Sequence, residues 1–164
     1  MRSEPSIYLT MFYTCGHCKI EEIPSIYINH RIIEQEGFKN LQNAIITHTE
    51  RNPSLCQKDN CGFNISTRLT INAHVFIELD ARATKDITKS LTCKMEDLPL
   101  QINLQGTILR LGGVITHHED HYMARCKRLN GRWELYNDCS TKVTYCDRKG
   151  AELPAAAIYI KSEQ

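Results

Sequence analysis

Apolar and mostly polar residues alternate with period two from Leu69 to Leu79. Leu69, Ile71, Ala73, Val75, Ile77 and Leu79 share one side, and Thr70, Asn72, His74, Phe76 and Glu78 the other. Successive side chains of a strand point to opposite faces, so this period predicts one half-buried strand with His74 solvated on its more polar face. Upstream the period lengthens: Phe38, Leu41, Ala44 and Ile45 recur at helical spacing until Arg51-Asn52-Pro53 ends the segment, which predicts one short helix. Asp80 to Asp97 is charged and poor in apolar residues, and reads as a surface loop.

From Leu98 onward short strands follow one another. Gln101 to Leu104, Gly106 to Thr116, Tyr122 to Arg128, Arg132 to Tyr136, Lys142 to Cys146 and Ala156 to Lys161 are separated by turn signals that include Asn103-Leu104-Gln105-Gly106, Asn130-Gly131 and Arg148-Lys149-Gly150. The second half is therefore expected to be an antiparallel sheet. In its third strand Tyr122, Ala124 and Cys126 are expected to take the core face, leaving His121, Met123, Arg125 and Lys127 on the other. A two-residue turn at Asn130-Gly131 sets His121 opposite Ser140 and on the same face as Asp138 and Tyr136. A bulge or longer loop shifts the parity by one and favours Asn137 instead.

The pattern as a whole gives an α+β, mostly antiparallel fold. The 164 residues are enough for one domain with a real core. With 20 Lys+Arg against 19 Asp+Glu the net charge is +1, and no basic stripe implies nucleic acid or an acidic membrane. Met1 to Pro5 lead into no apolar run of secretory length, and no run reaches the roughly 18 residues of a membrane span, so the chain reads as intracellular, cytoplasmic or nuclear.

Eight cysteines change the picture. Cys15-Gly16-His17-Cys18 puts two thiols on a tight knuckle, and Cys56 to Cys61 offers a second, wider pair. Thiolates on two such knuckles can close a tetrahedral zinc site that ties together distant segments. Four free thiols and a disulfide framework are the alternatives, the latter unsupported by any secretory signal. Cys15, Cys18, Cys56 and Cys61 are the expected structural zinc ligands, ahead of His17. Cys93, Cys126, Cys139 and Cys146 lack pairing and are expected as small buried apolar residues.

The chemistry of a hydrolase enters with His121 and the segment Trp133-Glu134-Leu135-Tyr136-Asn137-Asp138. A histidine acting as base needs a carboxylate or amide to fix its tautomer, and Asn137 or Asp138 can supply it. No nucleophilic thiol is evident upstream, since Cys15 matches a metal ligand. His117, His118, Glu119, Asp120 and His121 could hold an adventitious metal, without a ligand from a second strand.

From about Phe12 to Lys161 the order of these motifs resembles the ubiquitin-specific protease family of deubiquitinases, specifically the C-terminal part of the catalytic domain. Tyr13-Thr14-Cys15-Gly16-His17-Cys18 and Cys56 to Cys61 look like its zinc knuckles. Leu109-Arg110-Leu111-Gly112-Gly113-Val114-Ile115 with His121-Tyr122-Met123-Ala124 looks like its histidine box, and Ala156 to Ile160 like its closing strand. The resemblance implies a zinc-ribbon-like fingers region over residues 12–68 and a palm sheet over 69–161, an incomplete papain-like fold without the helical thumb. It makes His121 the base, Asn137 its orienting partner across an irregular turn, and Asp138 a support. It departs in lacking the cysteine box, in carrying Asp120 where a glycine is usual, and in the wider second knuckle.

Two functions follow as expectations. The chain is part of a cysteine-type deubiquitinase domain, either truncated or completed by a second polypeptide that supplies the cysteine box, inactive alone for want of its thiolate and acting on ubiquitin or a ubiquitin-like modifier. Alternatively it is a non-catalytic ubiquitin- or partner-binding module with a structural zinc. Whether it is an enzyme is left open by the sequence.

Overall fold

One long strand organises the sheet, and a glycine pair within it decides which way the neighbouring strand faces. The computed structural model describes residues 7–13, 18–50, 65–79, 91–118, 121–146 and 149–162. Strands β1 (Ile7–Tyr13), β2 (Cys18–Glu22) and β3 (Ile65–Ile71) form a three-stranded antiparallel sheet in the order β2-β1-β3. Helices α1 (His30–Glu36) and α2 (Leu41–Glu50) follow β2, joined by a 3-10 turn at Phe38–Asn40. Strands β4 (His74–Glu78), β5 (Gln101–Leu104), β6 (Thr107–His118), β7 (His121–Lys127), β8 (Trp133–Tyr136), β9 (Thr144–Tyr145) and β10 (Leu153–Lys161) make a seven-stranded sheet. Its order is β4-β10-β6-β7-β8-β9, with β5 also paired to β6. The mostly antiparallel architecture matches the pattern of the sequence, and so does the helix carrying Leu41, Ala44 and Ile45, all buried.

The alternation from Leu69 to Leu79 breaks where the pattern gave no sign. Asn72 and Ala73 are bends, so β3 belongs to one sheet and β4 to the other, and the expected single strand is two. Ala73, placed by parity on the apolar side, is exposed. Helix α1 carries only one fully buried side chain, Ile33, too little apolar periodicity to announce it; its start is instead set by the Asn29 side chain, which accepts from the Arg31 amide. The expected surface loop from Asp80 to Asp97 is half replaced. Residues 80–90 lie outside the described part, but Cys93 and Met95 are core residues, and Cys93 exchanges both backbone hydrogen bonds with Glu152.

Along β6 the inward residues are Leu109 and Leu111, then Val114 and Thr116. The phase slips at Gly112, which is left unpaired between Leu111↔Tyr159 and Gly113↔Ile158. A bulge inserts one extra residue and so turns the following side chains to the other face. At Gly113 the backbone leaves no room for a side chain, since a Cβ there would sit 2.9 Å from the Arg125 carbonyl oxygen, whereas one on Gly112 would have to displace the Ile160 side chain.

The slip fixes β7. Val114 pairs with Arg125 and Thr116 with Met123, so Arg125 is the inward residue, 5% exposed, and Tyr122, 56% exposed, points out against His117. This reverses the face expected from Tyr122, Ala124 and Cys126. The physical reason is that the charge has partners: Arg125 donates to the Thr116 hydroxyl and to the Glu152 carboxylate, which lets a guanidinium occupy a core face.

Candidate functional site

The β7–β8 hairpin turns through Leu129-Asn130-Gly131, not through Asn130-Gly131 alone. Arg128 donates its amide to Arg132 and Gly131 donates back to Arg128, with Gly131 at φ 82 in the left-handed region that glycine adopts without strain. The ladder therefore runs Lys127↔Trp133, Cys126↔Glu134, Arg125↔Leu135 and Ala124↔Tyr136. That is one residue off the two-residue-turn register, and continuing it sets Met123 against Asn137 and His121 against Cys139.

Beyond Tyr136 the chain leaves the ladder in a turn closed by the Ser140 amide donating to the Asn137 carbonyl. The turn brings Asp138 back over the imidazole: Asp138 Oδ1 and Cys139 Sγ each lie 3.7 Å from His121 Nδ1. Asn137 accepts from the Cys139 amide at 2.8 Å and turns its Nδ2 toward Met123 Sδ, 3.8 Å away. So the parity shift did bring Asn137 onto the His121 side. Yet the hydrogen-bond pairing of His121 with Asn137 implied by the resemblance is not the one the structure holds, because the Asn137 side chain is engaged in stabilising the turn. Asp138 faces the ring instead. His121 itself opens β7 opposite His118, the last residue of β6, and its side chain is 29% exposed, open to a reactant. His117 and His118 thus end a strand rather than lie in a loop, while Glu119 and Asp120 fall outside the described residues.

Cys139 was expected in the core and is exposed. Its thiol is held above its ordinary value, first by partial desolvation and then by the adjacent Asp138 carboxylate, the opposite of what an activated nucleophile needs. Cys126 and Cys146 are half-buried, and Cys93 is buried as expected. Burial, reinforced by Asp97 and Glu152, pushes the Cys93 thiol from 9.0 up to about 12. An unfolded thiol ionises above about pH 9 whereas the folded one stays protonated, so this contribution to stability is complete below pH 9 and is lost as pH rises toward 12. Denaturant titrations are expected to show stability falling from about pH 9 upward, with the fall reduced in Cys93→Ala relative to its own value at pH 8; an equal slope in the variant would contradict the assignment.

Of the expected zinc ligands, Cys15, Cys56 and Cys61 lie outside the described residues, and Cys18 is described only as the start of β2. The strands that lead into them are neighbours. Phe12 pairs with Cys18 and Tyr13 with Ile65, so the end of β1, the start of β2 and the start of β3 meet at one end of the small sheet.

No protein-family model and no curated protein matches the chain. Solved structures do. The SAGA Ubp8/Sgf11/Sus1/Sgf73 DUB module superposes with a TM-score of 0.58 at 17% identity, over 97% of this chain and 38% of that one. The same module bound to monoubiquitin gives 0.56 at 15%, over 96% and 40%. An essential yeast splicing factor gives 0.50 at 9%, over 97% and 42%. The chain thus shares the fold of part of these proteins, a deubiquitinase-module fold among them, and spans about two fifths of their length.

Proposed function

We propose that this chain is the histidine-bearing part of a ubiquitin-specific-protease-type module, with His121 as general base toward a thiol supplied by polypeptide outside this sequence. What supports the reading is His121 at the start of β7, partly exposed and faced by the Asn137–Cys139 turn, in a fold like that of the DUB module. In the completed site Asp138, 3.7 Å from Nδ1 and so beyond hydrogen-bond length in this structure, would close on that nitrogen and leave Nε2 toward the thiol, the division of labour a cysteine hydrolase needs. Asn137 supports the turn and, in the completed site, is the alternative partner. The substrate is the isopeptide bond after ubiquitin or a ubiquitin-like modifier. Cys15, Cys18, Cys56 and Cys61 hold a structural zinc, and the setting is intracellular, cytoplasmic or nuclear. No described helix is long and apolar enough to cross a membrane.

Cys139 is not the missing nucleophile. It meets the same imidazole nitrogen as Asp138, whereas a relay needs nucleophile and orienting group on opposite nitrogens. A ubiquitin probe with a thiol-reactive C-terminus is therefore expected to leave the chain unlabelled. Mixed with the separately produced cysteine-box part of a related enzyme, the chain is expected to restore hydrolysis that His121→Ala abolishes. Labelling at Cys139 that depends on His121, or restored hydrolysis indifferent to His121, would overturn the assignment. The second reading, a ubiquitin- or partner-binding module that cuts nothing, is favoured by one observation: the same fold occurs in a protein described as a splicing factor. Continued silence in the mixture, together with ubiquitin binding, would select it.

A further inference from the structure

We infer that His121, Asp138 and Cys139 form a second zinc site, separate from the four-cysteine knuckles and open to solvent. The three donor atoms, Nδ1, a carboxylate oxygen and Sγ, all lie within 4.8 Å of one another. Tetrahedral zinc with Zn–N of about 2.05 Å and Zn–S of about 2.3 Å holds nitrogen and sulfur about 3.5 Å apart, and nitrogen and oxygen about 3.4 Å apart. The corresponding separations here are 3.7 Å and 3.7 Å. A rotation of the exposed Asp138 side chain closes the remainder.

Both partners converge on one ring nitrogen, the arrangement of ligands around a shared cation. Nitrogen, oxygen and sulfur together suit a borderline-soft divalent ion rather than magnesium or calcium. Three protein ligands leave a fourth position for water. On binding, the Cys139 thiol gives up its proton to solvent and the neutral imidazole coordinates through Nδ1. Because Asp138 and Nδ1 are then engaged by the metal, His121 is withdrawn from service as a base, so the occupied form is a silenced one. The site itself stands whether or not the chain acts on ubiquitin.

The test uses the full chain preloaded with one equivalent of zinc, freed of excess, and titrated with further zinc by calorimetry in two buffers of different ionisation enthalpy. The expected result is one more equivalent bound with release of about one proton. His121→Ala and Cys139→Ser are each expected to weaken it at least tenfold, whereas His118→Ala leaves it unchanged. Asp138 and Cys139 are exposed, so Asp138→Asn and Cys139→Ser keep the unfolding temperature of the parent and Asp138→Asn also weakens binding. Cys15→Ser/Cys56→Ser separates this site from the knuckles: the zinc that depends on Cys139 persists in it. Zinc binding of parental strength in both His121→Ala and Cys139→Ser, its loss in His118→Ala, or no uptake dependent on Cys139 would each overturn the proposal. Ubiquitin affinity, measured apart, reads the functional assignment without touching this one.

Discussion

Glu152→Ala is expected to destabilise the fold by about 3 to 5 kcal/mol, far more than removal of an ordinary partly exposed carboxylate. Arg125 is 5% exposed and pairs through its guanidinium with Glu152 and the fully buried Thr116. Among the described residues its Nε finds no partner, so the network already lacks one bond. Removing the carboxylate leaves a buried charge uncompensated. Replacing both members, as in Arg125→Met/Glu152→Leu, removes the charge as well as its partner and is expected to recover most of the loss. Chemical denaturation of the three variants measures the cycle. A cost below about 1 kcal/mol for Glu152→Ala, or a double variant worse than either single one, would show that the inward placement of Arg125 is wrong.

The second large effect belongs to the knuckles. Cys15→Ser/Cys61→Ser is expected to abolish the tightly held zinc equivalent and to cost several kcal/mol of stability, since structural zinc binds only the folded arrangement and its binding free energy is folding free energy. The shared end of β1, β2 and β3 is where that cost should be felt. Hydrogen exchange is expected to rise first in the small sheet and least in β6 and β10. Full zinc retention by the double variant, or a parent protein purified without chelator yet holding less than about half an equivalent, would contradict the assignment.

Much of the seven-stranded sheet was legible because its strands obey a local rule. β5, β6, β8 and β10 fall within a few residues of their expected bounds, and Asn103-Leu104-Gln105-Gly106 makes its hairpin with positive φ at Gln105 and Gly106. What escaped was set by contacts between elements. The bulge at Gly112 reversed the inward face of β7, and only pairing with β10 reveals it. Apolar identity misled there, because Tyr122 is exposed while Arg125 is buried with partners. The position of Cys139 depended on a register slip of one residue, itself fixed by the φ of Gly131. A sequence signal was present in the adjacency of Asp138 and Cys139, but not in any rule that brings them to His121. Helix α1 offered only its Asn29 cap, and the break at Asn72-Ala73 lacked even that.

The proposed function requires this chain to recognise ubiquitin, and a calorimetric titration of ubiquitin onto the zinc-loaded protein tests that most directly. The expected result is saturable one-to-one binding that His121→Ala leaves intact, because the base is needed for cleavage and not for the grip. Absence of saturation with ubiquitin at about 1 mM, where even an affinity of only about 4 kcal/mol would be visible, would contradict it.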